Sequence, residues 1–173
     1  MKIQKSLLAF PLILVLMFSL GVSAFAGDAS FEATKDYMDA LRRLEGASCE
    51  ALETLSIGGK EFEAVNISYA GKLSDHEFSF LTFVCEDGTE ALLQINLLEY
   101  DPENLAELLA AVNDFHANTT GVKLFLDVSD NSLIAETHLL LTQDSVFDLA
   151  PRATANLITL VDKMVEDFGS FAL

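Results

Sequence analysis

The residues that could do chemistry in this chain are few and scattered. Three histidines, His76, His116 and His138, stand in different predicted elements. Catalysis by a histidine, or metal binding, needs several such groups brought to one point. Only His138 has a near partner by spacing. It shares one predicted strand face with Glu136, and a metal could use that pair. A His/acid pair without further ligands is ordinarily solvated. Asp127, Ser129 and Asn131 loosely follow the spacing of a calcium loop, but that loop's Gly and distant bidentate Glu are missing. A plain turn is expected there. No catalytic motif is present, so no catalytic, metal or cofactor residues are assigned.

Two cysteines, Cys49 and Cys85, remain to be placed. In an oxidising compartment an even pair is most simply a disulfide. It would close a loop of roughly 37 residues and stabilise the fold by about 3–4 kcal/mol. The alternative is two separately buried thiols, since free cysteine packs as a small hydrophobe. Without a CxxC pair, neither a zinc site nor a redox site is expected. Asn66-Ile67-Ser68 and Asn118-Thr119-Thr120 match the glycosylation acceptor pattern, which matters only in a eukaryotic secretory route.

The compartment is suggested by residues 1–26. Lys2 and Lys5 precede an apolar run from Leu7 to Leu20, which ends in Val22-Ser23-Ala24-Phe25-Ala26. This is the layout of a secretory signal peptide, with cleavage expected before Gly27 and a weaker alternative after Ala24. The run is short for a membrane span, and no cysteine near the cut offers a lipid anchor. The expectation is a periplasmic or secreted protein, residues 27–173, forming one domain. The segment removes two lysines and no acids, leaving 27 Asp and Glu against 8 Lys and Arg, a net charge of −19. Such a charge repels nucleic acid and anionic membranes. It keeps the protein soluble and admits basic partners or cations.

The elements that must position these residues follow from periodicity. Phe31, Tyr37, Met38, Leu41 and Leu44 predict a helix over 30–45, stopped by Gly46. Residues 47–57 suit either a helical turn or a short strand. Strands are predicted over 61–70, 77–85 and 90–99, the last two joined at Asp87-Gly88. Asp101 as N-cap and Pro102 at the first position open a second helix, with Leu105, Leu108, Leu109, Val112 and Phe115 on one stripe and its end near His116. A hairpin follows, from 122 to 142 with its turn at 129–132. A last helix starts near Asp148 or Leu149, with Pro151 in its first turn. Its apolar face is Ala153, Leu157, Leu160, Val161, Met164 and Phe168.

The order α-β-β-β-α-β-β-α, with three particular stretches, resembles the YbjN family, whose members are named as bacterial sensory transduction regulators. Phe78–Gly88 (FSFLTFVCEDG) is similar to that family's apolar strand ending in a cysteine and an Asp-Gly turn. Leu109–Phe115 (LAAVNDF) is similar to its second helix, and 122–141 to its hairpin. The end of the last helix, Val165-Glu166-Asp167-Phe168, also fits. The likeness spans about Phe31 to Phe168. Many relatives carry a second cysteine after the turn, and Thr89–Leu93 has none. The resemblance therefore leaves Cys85 to pair with Cys49.

The resemblance implies an α+β fold like that of type III secretion chaperones, a twisted antiparallel sheet of about five strands backed by helices. Those chaperones are small, acidic and usually dimeric, and they hold extended protein segments. They act in the cytosol, so the signal segment departs from the pattern. The function expected is a non-enzymatic module that binds another protein, with a homodimer as one possible state. The alternative is a small-ligand or lipid-binding domain, because a helix over a curved Phe-rich sheet can leave a cavity. Core packing accounts for most of the apolar stripes. A sheet edge can also pair with a sister chain or an extended peptide.

Overall fold

The computed structural model describes residues 28–74 and 77–173; the segment expected to be a signal peptide, 1–26, and His76 lie outside the described residues. The class is α+β. Helix α1 (Glu32–Leu41) leads into strands β1 (Ala47–Ile57), β2 (Lys60–Tyr69), β3 (Phe78–Cys85) and β4 (Glu90–Glu99). Helix α2 (Leu105–Asn118), strands β5 (Lys123–Asp127) and β6 (Ser132–Leu140), and helix α3 (Val146–Phe168) complete the chain. The six strands form one antiparallel sheet in the order β1-β2-β3-β4-β6-β5.

The strand count corrects the expected five, because residues 47–57 form a full strand. Ala47 pairs with Tyr69 and Ile57 with Lys60, with one register shift between Ala51 and Thr54. Gly58 and Gly59, at φ +61° and +86°, form the two-residue hairpin turn between them. A Gly-Gly pair that looks like a break is here the turn that returns the strand. Gly46, at φ +91°, is needed before β1, since a Cβ there would lie 2.6 Å from the Cα of Gly71.

Pleat alternation sends the strand side chains to two faces. Val65, Ile67 and Tyr69 of β2, with Phe80 and Val84 of β3, join the core beneath the helices. Phe62 and Ala64 of β2, with Leu81, Phe83 and Cys85 of β3 and Ile134 of β6, form a second cluster built only from strand residues. The apolar-on-both-sides pattern of β3 is thus that of an interior strand.

α1 is held by a buried acid. The Glu63 carboxylate, on a residue 2% exposed, accepts from the N–H of Ser30 at 2.7 Å and of Phe31 at 3.0 Å. Those are unpaired donors at a helix N-terminus, where a negative charge also meets the helix dipole. Phe31 itself offers no side-chain cap, so β2 supplies one from across the fold. Tyr37, Ala40 and Leu41 then bury against the sheet and α3.

α3 begins earlier than expected, at Val146. The Thr142 N–H donates to Ser145 Oγ at 2.8 Å and the Ser145 N–H to Thr142 Oγ1 at 3.2 Å, which closes a turn ahead of the apolar stripe. Pro151 therefore lies inside the helix rather than in its first turn. It lacks the N–H that would serve the carbonyl four residues back, that of Phe147. Arg43 Nη1 donates to that carbonyl at 3.3 Å, and its guanidinium sits 4.9 Å from the centre of the Phe147 ring. The defect becomes a tie between α1's following turn and α3. Thr154 and Ile158, absent from the predicted stripe, are fully buried on its inner face.

The C-terminus closes beside β4. Asp101 N–H donates to the Phe171 carbonyl at 2.9 Å and Leu173 N–H to that of Glu99 at 3.0 Å. The sequence placed Asp101 correctly as a cap. Its Oδ1 accepts from Glu103 N–H at 2.9 Å, opening a 3₁₀ turn at Pro102–Asn104 before α2.

Replacing Glu63 by Ala strands two helix donors. The expected loss is about 2–4 kcal/mol of unfolding free energy, read by urea denaturation, with Glu63→Gln losing less because its amide oxygen still accepts.

Candidate functional site

Among the described residues, the groups singled out in the sequence are not assembled into one centre. His138 stands on β6 opposite Leu92 of β4. Its Nε2 is 2.9 Å from Glu90 Oε2, not engaged with Glu136. Glu136 accepts instead from Gln94 Nε2 at 2.7 Å. Glu90 also takes the Lys60 ammonium, so one carboxylate joins β2, β4 and β6. The Lys60 hydrogen bond is the main cause that holds the Glu90 carboxyl below its ordinary range; partial burial opposes it and His138 assists. Lys60 is pushed up in return, chiefly through the same bond. Periodicity found the His138/Glu136 face but missed Glu90, because cross-strand register is a tertiary property.

His116 is at the last turn of α2. Its Nε2 accepts from the Leu124 N–H of β5 at 2.8 Å. This leaves that imidazole a structural acceptor on the flank of the sheet. Among the described residues no group of three or more His, Cys, Asp or Glu is placed to hold a metal.

The Asp127–Asn131 segment is a turn. Asp127 Oδ1 accepts from the Ser129 N–H at 2.9 Å and from its hydroxyl, and Asp130 Oδ1 accepts from the Ser132 N–H at 3.1 Å. Asn131 takes φ +58°, the left-handed conformation that Asn tolerates. These oxygens are spent on local amides.

The expected Cys49–Cys85 disulfide is not formed; both thiols are free. The register explains it. Cys49 lies opposite Ile67 and Cys85 opposite Phe62, at positions of opposite parity along β2. The two side chains therefore leave opposite faces of the sheet, Cys49 packing on the helix-side core and Cys85 within the other cluster. No rotation of side chains brings such a pair to bonding distance. Burial pushes the Cys49 thiol up to about 11 and raises that of Cys85, which suppresses the reactive thiolate.

Two further features were not legible in the sequence. A cleft of about 230 Å³ lies between α1, the β3–β4 turn and the start of α3, with Glu32, Asp36, Glu86 and Asp87 on its wall. Its best-held acid is Asp87, brought down to about 2 by the hydroxyl and N–H of Thr89, which bond it at 2.6 and 2.9 Å. Beneath α1 and α3, the hydroxyls of Tyr37, Thr34, Thr82 and Thr154 are sealed in the core, with those of Thr154 and Thr82 nearest the Tyr37 phenol. Burial pushes the Tyr37 phenol up, so it keeps its proton. Tyr37, Ile67, Leu93, Leu157 and Ile158 are buried in the helix–sheet interior. No helix among the described residues is long and apolar enough to cross a membrane.

The sheet ends in two edge strands, β1 and β5. Of the two edge strands, β1 carries a bulge, a common means of blunting an edge. β5 is short and pairs regularly with β6. α2 runs beside it with only Leu108 and Val112 buried, leaving Leu109 45% exposed.

No family model and no curated protein matches the chain. Among solved structures, it is similar to that of YbjN from E. coli, a candidate transcription regulator by name. The identity is 18%, over 82% of this chain and 96% of that one, with a TM-score of 0.35. The α+β class rests on the sheet described above; the resemblance adds a neighbour, not a family.

Two measurements follow. A thiol reagent is expected to find both cysteines free but to react with them only on unfolding, and reductant should leave the melting temperature unchanged. Asp87 stabilises the fold above the ordinary carboxylate pKa, near 4, and that contribution is lost as pH falls through about 2. Asp87→Asn should therefore be less stable than the parent at neutral pH, with the gap closing between about pH 4 and 2 in urea titrations at each pH.

Proposed function

We propose that this chain is an exported, non-enzymatic protein that binds another protein in a chaperone-like or regulatory role. The observation that carries the reading is the flank of the sheet, where β5 ends the strand order, its outward Leu124 N–H is held by a side chain, His116, rather than by another strand, and α2 stays half exposed beside it. An extended segment can add to such an edge through main-chain hydrogen bonds. The ionisable side chains support the same reading, because His116, His138, Glu90 and Glu136 are engaged in separate structural contacts. The signal-like residues 1–26 favour work in the periplasm or outside the cell, where the partner would also be found. The strong negative charge favours a partner with basic groups.

The test is crosslinking in the exported fraction, using the full coding sequence with a C-terminal tag and identification by mass spectrometry. The expected result is a recurrent exported partner that is lost when Leu126→Pro removes an N–H from β5. A partner that survives this substitution would move the contact elsewhere. The absence of any recurrent partner would end the reading.

A further inference from the structure

The edge strand β5 is complementary to itself. Within the sheet, Lys123 pairs with Glu136, Phe125 with Ile134 and Asp127 with Ser132 of β6. The Leu124 N–H is given instead to His116, so it points away from β6. Antiparallel alternation turns the main-chain groups of Leu126 the same way. An incoming strand would find its donors and acceptors at residues 124 and 126.

The residues of β5 read Lys-Leu-Phe-Leu-Asp. Turned end over end about Phe125, the strand meets a second copy in the register its outward groups require. Leu124 lies opposite Leu126 of the second copy, and the two exchange a pair of hydrogen bonds. The reciprocal pair does the same, and Phe125 faces Phe125 on the two-fold axis. At both ends Lys123 comes opposite Asp127. Directly opposite side chains in such a ladder stand about 4.5–5.5 Å apart at Cβ, and this pair has opposite charge.

A second observation points to the same occupant. Asp127 is only 4% exposed, and its Oδ1 is engaged by Ser129, yet its Oδ2 has no hydrogen-bond partner among the described residues. A buried carboxylate oxygen without a partner is costly. An ammonium arriving along the neighbouring strand would supply one. Lys123 is exposed and makes no ion pair among the described residues.

We propose that β5 is a dimerisation edge for a second copy of this chain, and that His116 is its latch. With the imidazole on Leu124, the edge is closed; with the imidazole away, two β5 strands join the sheets of two copies into one. The interface is isologous and closes after two subunits. The inference shares the β5 edge with the proposed function but needs no client. It can fail on purified protein while capture of an exported partner succeeds, and the reverse is equally distinguishable.

Sedimentation velocity across a wide concentration range tests it, on protein expressed from its full coding sequence. His116→Ala removes the competing acceptor and should tighten self-association by about tenfold. His116→Gln keeps an acceptor oxygen and should stay near the parent. In the His116→Ala background, Leu126→Pro, or Lys123→Glu opposite Asp127, should restore the monomer. Should the alanine variant not fold, His116→Lys removes the acceptor by another route. Monomers throughout would overturn the proposal, and so would a dimer that is indifferent to both Leu126→Pro and Lys123→Glu.

Discussion

The alternation of the pleat along β2 and β3 is the constraint on which the rest of this structure depends. Both strands lie inside the sheet, and both carry apolar side chains on each face. One residue of slip would exchange the two clusters entirely. The register therefore decides which residues meet the helices and which cysteine goes where. It also decides that Glu63 points to the helix side, opposite Val84 rather than beside Phe62. A carboxylate buried there is tolerable only because two helix donors satisfy it.

The helices are tied to this sheet by their defects. α1 has no cap of its own and takes one from β2. α3 loses a bond at Pro151 and recovers a donor from Arg43. Each tie joins residues distant in sequence, so each makes local helix formation conditional on the assembled fold. Main-chain groups that cannot be served locally must be served by something else when buried. The same rule acts at the sheet flank, where His116 serves the outward N–H of Leu124.

The polar residues of the fold share this economy. Glu90 joins three strands, Gln94 donates to Glu136, and Asp127 closes its own turn. The edge strand β5 and the half-exposed α2 take no part in the Glu90 and Gln94–Glu136 contacts.

Much of this protein was legible in the residues themselves. Helical stripes, the Asp101-Pro102 start, the Asp-Gly turn and the double-faced β3 follow from local periodicity and turn chemistry, which depend on near neighbours. β1 was not legible, because the Cys49–Leu55 spacing suits two periods and only pairing with β2 decides between them. The cysteine pair was misread for a related reason. Composition counts thiols, but the face each one leaves from depends on register. His116, Glu90 and Glu63 carried no local signal, since their partners lie 8, 48 and more than 30 residues away. The sequence by itself determined the helices, the strands after residue 60 and their order. Only the tertiary structure decided which groups meet, because strand register and sheet order bring together residues whose separation along the chain conveys nothing of their distance in space.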